Sequence, residues 1–430
     1  MVRSLDIELD GRPVGVVTNF ASDANVFTFD AAYAADTNRP VLSLGYLDAD
    51  RGLLDTTRPT RTKLPPFFAN LLPEGHLRTY LAERARVNAI RDFPLLELLG
   101  NDLPGAVTAR PRVAEVDERD GEGSGDVSAK GAGRDAHVLK FSLAGVQLKF
   151  SAIRETAGGL TIPASGAGGE WIVKMPSATY ASVPENEYTM LSFARRVGIE
   201  VPDIGLVDSA DIRNLPTGVR NDLGHAMYIR RFDREGKQRI HIEDFAQIFR
   251  QFPSDKYRNV SYGNMLAGIY RTLGEEQAHE FVRRLVFSIG IGNADMHLKN
   301  WSVIYRDGRT PTLAPAYDYV STIAYIPEDA LALTIARTKT WEDVSDDLLE
   351  RFARRAGVPR GTVLHPARDM VERMHDAFGG LDAEGRLPPD VVDTIERHMA
   401  RIPLFSGRRA RAIRTSAVAV DDTLEPREIA

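Results

Sequence analysis

Two short acidic segments in the C-terminal half constrain the fold of this chain more than any other feature. The first, GNADMHLKNW (292–301), places Asp295 five residues before Asn300, in a turn that follows an apolar helix pattern. The second, LAPAYDYVST (313–322), places Asp318 just beyond a short extended run. A kinase needs such a set, since one Asp orients the attacking hydroxyl while an Asn and a second Asp hold Mg²⁺ against the nucleotide phosphates. The spacing therefore predicts a phosphotransferase.

Neither segment is specific by itself, because an Asp or Asn in a loop is more often a turn former or a helix cap. Two upstream residues in the expected chain order strengthen the prediction. Lys174 ends a short apolar run (171–176), as expected of a strand lysine that reaches nucleotide phosphates; the alternative is a solvated head group. Glu187 falls in the first turn of a helix predicted over residues 185–198. It either favours the helix N-terminus or steadies Lys174 through an ion pair.

Several short segments follow one another in a fixed order from about residue 10 to about residue 340. They are FFANLLPEG (67–75), LGNDLPGAV (99–107), FSLAGVQLKF (141–150), IVKMP (172–176), ENEYTML (185–191), YIRRFDR (228–234), GNADMHLKN (292–300) and AYDYVS (316–321). As a set they resemble the HipA-type serine/threonine kinase toxins of bacterial toxin–antitoxin systems. The resemblance implies an α+β, protein-kinase-like fold of two lobes, with an N-terminal α/β subdomain and a mainly helical C-terminal lobe.

The resemblance also assigns roles to the two acidic segments and to the strand lysine. It implies that Asp295 is the catalytic aspartate, that Asn300 and Asp318 are Mg²⁺ ligands, and that Lys174 contacts the ATP phosphates. His297 is expected to order the catalytic loop, with a role as general base as the alternative. Lys299 either contacts a phosphate or is solvated.

Two further segments complete the ATP site that the resemblance implies. FSLAGVQLKF resembles the flexible loop that covers the phosphates, with Ser142 at the position of an autophosphorylated serine. The loop residues assigned to ATP are Ala144, Gly145, Val146, Gln147 and Lys149. RRFDR resembles the segment that joins the lobes, whose backbone faces the adenine through Arg231 and Phe232.

The sequence departs from the family pattern at two points. The family loop commonly reads Ala-Gly-Ala-Gln-Glu-Lys, whereas here Leu148 replaces the acid beside Lys149. We therefore expect the polar contacts of that loop to differ. Arg230 stands where an acidic residue is familiar. Because the nucleotide contacts there are made by the backbone, we expect little loss of ATP binding.

Composition excludes some classes of function. The chain has 430 residues and no cysteine, so disulfides, thiol catalysis and cysteine zinc sites are impossible. No apolar run reaches the roughly 18 residues needed to span a bilayer, and the N-terminus lacks a signal-peptide pattern. We therefore expect a cytoplasmic protein. A net charge of −6 gives no general reason to bind nucleic acid.

Pattern and composition predict five regions. These are an N-terminal subdomain (1–111), a glycine-rich linker or loop (112–136), a β-rich nucleotide-binding lobe (137–232), a helical catalytic lobe (233–410) and a loose tail (411–430). In the subdomain we predict strands around 5–17 and 41–47, a helix from Pro65 through Leu81, and another at 93–99. Elsewhere we predict a hairpin at Gly158-Gly159, helices at 243–252, 262–272, 276–291, 341–357, 366–378 and 388–402, and strands at 301–305 and 331–335.

The favoured function is an ATP- and Mg²⁺-dependent protein serine/threonine kinase that acts as a toxin. One alternative is a small-molecule kinase of the aminoglycoside or choline type, which shares the Asp-to-Asn loop. Another is a catalytically silent scaffold in a DNA-bound repressor complex. The resemblance implies a small helix-turn-helix antitoxin as partner, HipB-like, with operator DNA bound mainly through that antitoxin. By analogy, the protein substrate is an aminoacyl-tRNA synthetase.

Overall fold

The computed structural model describes residues 2–112, 148–154, 159–163, 168–177, 179–216 and 219–407. The predicted phosphate-covering residues Ser142, Ala144, Gly145, Val146 and Gln147 therefore lie outside the described residues. So do the predicted linker beyond Arg112 and the predicted tail. The chain divides into two compact units, each built from three segments. The first comprises Met1–Pro184, Pro202–Lys256 and Leu298–Pro315; the second comprises Glu185–Val201, Tyr257–His297 and Ala316–Ala430.

The first unit begins with a five-stranded antiparallel sheet. Its strands are β1 (Arg3–Leu9), β2 (Arg12–Asn19), β3 (Ala24–Phe29), β4 (Thr60–Arg61) and β5 (Val107–Pro111), in the order β4-β3-β2-β1-β5. Leu5, Ile7 and Leu9 alternate inward and are almost fully buried, as the period of a half-buried strand requires. The strands predicted around residues 5–17 are thus confirmed.

Four helices pack beside this sheet: α1 (Ala31–Ala35), α2 (Pro66–Asn70), α3 (Gly75–Arg84) and α4 (Asp92–Leu99). The helix predicted at 93–99 is confirmed. The prediction of one continuous helix from Pro65 through Leu81 is wrong, because Pro73 lacks a backbone N–H and disfavours helical backbone at the preceding residue. The predicted strand at 41–47 is also wrong. Residues Leu44–Tyr46 form a 3₁₀ turn, which the Ser43 hydroxyl caps by accepting from the Gly45 amide at 3.0 Å.

A six-stranded sheet follows in the same unit. Its strands are β6 (Lys149–Arg154), β7 (Leu160–Thr161), β8 (Trp171–Lys174), β9 (Ile204–Asp208), β10 (Ile212–Arg213) and β11 (His225–Arg230), in the order β10-β7-β6-β8-β11-β9. Strands β6 and β7 pair antiparallel, with Ile153 opposite Thr161. The antiparallel pairing expected on either side of Gly158-Gly159 is therefore confirmed, while Gly158 itself lies outside the described residues.

The remaining strands of the first unit come from two separated stretches of chain. They are β12 (Arg234–Glu235), β13 (Gln238–Arg239), β14 (His241–Asp244), β15 (Ser302–Tyr305) and β16 (Thr312–Leu313). The strand predicted at 301–305 is confirmed. The helix predicted at 243–252 is largely wrong, because its first residues pair in β14 and only one turn, α6 (Phe245–Ile248), follows. Asp244 and Gln247 form a reciprocal capping box that starts this turn.

The second unit is helical in its described part. Its helices are α5 (Val183–Arg196), α7 (Tyr262–Thr272), α8 (Glu275–Gly290), α9 (Asp346–Ala356), α10 (Arg360–Phe378) and α11 (Pro389–Arg401). The helices predicted at 185–198, 262–272, 276–291 and 388–402 are confirmed within one or two residues. No helix among the described residues is long and apolar enough to cross a membrane.

Three predictions for the second unit need correction. The helix predicted at 341–357 is a 3₁₀ turn (Trp341–Asp343) followed by α9, because the Ser345 hydroxyl caps a new N-terminus. Helix α10 starts before the predicted residue 366, and Pro366 lies inside it. The strand predicted at 331–335 does not form in this described region. Ile335 makes only an isolated bridge to Thr338.

Candidate active site

Asp295 lies in a tight turn at the end of α8, in the second unit. Gly292 opens the turn with a left-handed φ of 65°, and a Cβ there would lie 2.3 Å from the Ile323 side chain. A residue with a Cβ would therefore strain the turn in two ways, through the left-handed backbone and through the clash with Ile323. The Asn293 side chain then accepts from the Asp295 amide at 3.0 Å. These local contacts present the Asp295 side chain, which is 53% exposed, at the tip of the turn.

Hydrogen bonds tie this turn to the second acidic segment within the same unit. The Asn293 amide donates to the Asp318 carbonyl oxygen at 3.4 Å. Thr322 joins the two backbones, because its hydroxyl oxygen accepts from the Ala294 amide at 2.8 Å and its hydroxyl donates to the Gly292 carbonyl at 3.1 Å. The structure thus brings together the two segments that carry Asp295 and Asp318.

Tyr257 and His297 surround the Asp295 carboxylate. The Tyr257 hydroxyl donates to Asp295 Oδ1, and His297 Nε2 lies 3.9 Å from the same oxygen. The Tyr257 and His297 rings meet edge to face, with centroids 4.9 Å apart. The buried Tyr262 stabilises the turn, because its hydroxyl donates to the Met296 carbonyl at 2.8 Å. Tyr257 was not foreseen, since nothing in the linear sequence links residue 257 to Asp295.

Asp318 adopts left-handed backbone, with φ at 56°. Asp tolerates this region better than most residues, and such strain persists only when neighbouring contacts fix the chain. Asn186 of α5 supplies two of them: its amide donates to the Ser321 carbonyl at 3.1 Å, and its oxygen accepts from the Ser321 amide at 2.9 Å. The adjacent Glu187 is only 2% exposed. Because α5 starts at Val183, Glu187 lies in the second turn and not in the predicted first turn.

Two of the predicted phosphate-binding lysines face each other in the first unit. Lys149 of β6 and Lys174 of β8 are direct partners in the antiparallel register, so their side chains leave the same face of the sheet. Lys174 is 3% exposed. Two cations directly opposite each other repel. Together they concentrate positive potential at one end of β8. The predicted ion pair between Lys174 and Glu187 joins residues of different units and stays a prediction.

Lys299 is held by the N-terminal subdomain within the first unit. Its ammonium lies 2.8 Å from Glu74 Oε1 and donates to the Asn70 carbonyl at 3.1 Å, while Lys256 lies 3.2 Å from Glu74 Oε2. Burial by itself raises the pKa of Glu74, but Lys299 and Lys256 together hold that pKa below its ordinary value. Lys299 is therefore a buried anchor and not a solvated lysine. Its neighbour Asn300 is 8% exposed and ends the same 3₁₀ turn (Leu298–Asn300).

Arg231 has a structural side chain. Its guanidinium makes two hydrogen bonds to the Asp233 carboxylate, at 2.9 and 2.8 Å, and its backbone amide donates to the Glu170 carbonyl at 2.7 Å. A contact to adenine from Arg231 would therefore come from its carbonyl oxygen. Phe232 is half-buried beside it.

The predicted magnesium ligands are of a suitable chemical kind. Asp318 offers a half-buried carboxylate and Asn300 an amide oxygen, and Mg²⁺ prefers oxygen donors with one or two carboxylates plus substrate phosphates. No group of three or more His, Asp or Glu residues that could hold a metal by itself occurs in the part of the chain that the structure describes. Asn300 and Asp318 belong to different units, so the shared metal site stays a prediction.

Comparison with known proteins identifies the family. Residues 5–110 match the HipA N-terminal domain, and residues 141–378 match the HipA-like C-terminal domain. The chain is 47% identical over 411 residues to a Sinorhizobium fredii protein named “Putative kinase Y4dM”, covering 94% of this chain and 98% of that one. It is 25% identical over 407 residues to the serine/threonine-protein kinase toxin HipA of Shewanella oneidensis, covering 87% of this chain and 88% of that one. The chain belongs to the HipA family.

A solved structure supports the same fold. The HipA chain in a complex of Shewanella oneidensis HipA, HipB and operator DNA matches with a TM-score of 0.68 at 22% identity, covering 94% of this chain and 96% of that one. The resemblance inferred from the short segments is thereby confirmed. The mixed α and β content of the predicted fold is also confirmed.

Proposed function

We propose that this protein is an ATP- and Mg²⁺-dependent protein serine/threonine kinase. The observation that carries the proposal is the Asp295 carboxylate, which is exposed, fixed to the Asp318 segment, and already accepts a hydrogen bond from the Tyr257 hydroxyl. A side-chain hydroxyl therefore fits against Asp295. The family membership and the relatives named as kinases support the same activity.

In the proposed reaction Asp295 accepts a hydrogen bond from the substrate hydroxyl and orients its oxygen toward the γ-phosphorus of ATP. As the new oxygen–phosphorus bond forms, the bond from the γ-phosphorus to the bridging oxygen breaks and ADP leaves. Asp295 takes the hydroxyl proton, and a base of this kind contributes about 10²–10⁴-fold. Lys174 and Lys149 attract the phosphates. When bound at Asp318 and Asn300, Mg²⁺ would neutralise phosphate charge.

We also propose a toxin role and its partners, from the relatives of this chain. The relative from Shewanella oneidensis is named a kinase toxin, and its solved complex contains HipB and operator DNA. A HipB-like antitoxin that carries this chain to operator DNA is therefore the proposed partner. The substrate, an aminoacyl-tRNA synthetase by analogy, and autophosphorylation at Ser142 belong to the same proposal.

Phosphoproteomics after induction of this protein tests the proposal. Wild type should add phosphate to serine or threonine of a small set of proteins and slow growth, whereas Asp295→Asn should do neither. Asp347→Asn provides a matched control, because it makes the same charge change at an exposed position in the second unit. Phosphate found on a small amino-alcohol or sugar would favour the small-molecule kinase. Absence of nucleotide binding by calorimetry would favour the silent scaffold.

A further inference from the structure

A buried cluster of charges in the first unit holds more positive than negative charge. Arg231, Arg234 and Arg239 surround Asp102 and Asp233, and the two carboxylates are 2% and 6% exposed. Three cations against two anions leave one positive charge without a carboxylate. A buried charge is costly unless it is compensated. The cluster therefore needs either solvent or an anion at its open side.

The excess of positive charge is reflected in the pKa values of two arginines in this cluster, Arg234 and Arg239. The pKa of Arg234 is lowered to about 10, chiefly by burial and also by Arg231 and Arg239, against the opposing effects of Asp233 and Asp102. Burial likewise lowers the pKa of Arg239. Both guanidinium groups are thus held where positive charge is disfavoured, although each donates to backbone carbonyls. An added anion would relieve this repulsion.

The open side of the cluster is a cavity of about 490 Å³. Arg234 and Arg239 line it together with two more cations, Arg154 and Lys237, which are exposed. The negative residues in its wall are Asp102 and Glu170. None of the lining residues belongs to the predicted ATP or magnesium sites. The wall therefore carries four cations and two carboxylates, all within the first unit.

Asp102 and an apolar surface complete the wall. All three arginines form ion pairs with Asp102 Oδ1. The other carboxylate oxygen, Oδ2, is buried and has no hydrogen-bond partner among the described residues. Trp171 and Ile153 form the apolar part, and Arg154 lies over the Trp171 ring at 5.5 Å from its centroid. The cavity thus offers cations for an anionic group and an aromatic surface for an organic group.

We propose that this cavity binds a phosphate monoester, with its dianionic phosphate among Arg154, Lys237 and Arg239 and its organic part against Trp171 and Ile153. A dianion balances the two excess positive charges of the wall. The cavity has room for more than a bare phosphate ion. Guanidinium groups suit this role because their planar forks bind phosphate oxygens in pairs.

Isothermal titration calorimetry on the full chain tests the site with three probes: inorganic phosphate, glycerol phosphate and phenyl phosphate. All three should bind, and the two esters should bind more tightly than inorganic phosphate. Binding of inorganic phosphate with no gain for either ester would refute the ester and leave an inorganic anion site. No heat with any probe at millimolar concentration would refute the site altogether.

Charge changes of opposite sign make the test specific. Lys237→Gln and Arg154→Gln should each weaken ester binding roughly three- to tenfold, as expected for one charge-assisted contact. Glu170→Gln removes a negative charge from the wall and should tighten binding by a similar factor. Arg58→Gln is the matched control, since it neutralises an exposed arginine of the same unit that does not line the cavity.

A comparison of Lys174→Ala with Lys237→Gln distinguishes binding in this cavity from phosphate binding at the predicted ATP site. Lys174→Ala should leave ester affinity unchanged, because Lys174 does not line the cavity. Affinity that falls in Lys174→Ala but not in Lys237→Gln would place the ligand elsewhere and overturn the proposal. Because the readout is binding alone, the result does not depend on the kinase activity proposed above.

Discussion

Replacing Glu74 by Gln should loosen the segment that carries Asn300. Glu74 is the shared anion of Lys299 and Lys256, at 2.8 and 3.2 Å, and the three side chains are only 6% to 19% exposed. Glutamine keeps the shape and one acceptor but removes the charge. Two largely buried ammonium groups would then share no carboxylate. The change therefore tests whether the N-terminal subdomain fixes the predicted catalytic loop electrostatically.

The magnitude follows from the burial of the three groups. Removing one partner of a buried ion pair typically destabilises a protein by about 3–5 kcal/mol. Because Glu74 is partly exposed and glutamine still accepts a hydrogen bond, we expect a loss near the lower end, on the order of 3 kcal/mol. Glu83→Gln, an exposed change in helix α3, which begins directly after Glu74, should cost less than about 0.5 kcal/mol.

The pH dependence has a definite sign. The pKa of Glu74 in the folded protein is lower than its ordinary value of 4.5. Such a carboxylate stabilises the fold fully above the unfolded pKa, and the stabilisation is lost as pH falls through the folded pKa. The difference between wild type and Glu74→Gln should therefore be largest near pH 7 and should shrink below about pH 4.5.

Urea unfolding at pH 7 and pH 3.5 measures the difference, and hydrogen exchange of peptides covering residues 298–305 reports whether the loss is local. The Leu298 amide bonds to the Lys256 carbonyl at 3.2 Å, so its exchange should speed up in Glu74→Gln. Equal stability of the two proteins at pH 7 would contradict the reasoning. So would a difference of the same size at both pH values.

The other predictions concern the second unit. Asp295→Asn should retain most ATP affinity but reduce phosphoryl transfer by roughly 10²–10⁴-fold in a radiolabelled ATP assay; undiminished transfer would sink the assignment. Asp318→Ala should abolish Mg²⁺-dependent ATP binding in calorimetry, and wild-type affinity would count against it as a metal ligand. Asn186→Ala leaves the buried backbone of Ser321 without two hydrogen bonds and should cost about 2–4 kcal/mol in thermal unfolding. A shift below 1 °C would show that Asn186 does not hold this segment.

The sequence predicted four helices of the second unit, α5, α7, α8 and α11, within one or two residues because their signals are local. Helix α7 begins after Ser261, whose side chain forms a capping box with Asn264, only three residues further along the chain. Failures occurred where distant residues decide the conformation. Residues of the predicted helix at 243–252 instead pair in β14 with β15, about 60 residues away, with Glu243 opposite Val303.

The candidate site shows the same division. The turn around Asp295 could be anticipated from its spacing, since Gly292 and Asn293 shape it locally. The anchoring of Lys299 by Glu74 could not, because more than 200 residues separate the partners and each reads as an ordinary surface charge. The contact of Tyr257 with Asp295 could not be predicted for the same reason. Its role depends on the fold bringing a loop tyrosine to Asp295.

The division of each unit into three chain segments has a consequence for synthesis on the ribosome. Strand β15 completes the sheet begun by β14, and the Tyr305 hydroxyl reaches the same buried Glu243 that Ser43 holds at 2.6 Å. Domains tend to fold as units while the chain emerges from its N-terminal end. The first unit cannot close until residues 298–315 have emerged, by which time the Asp295 turn has already been made. A growing polypeptide would thus carry an unfinished first unit until about three quarters of the chain has been translated.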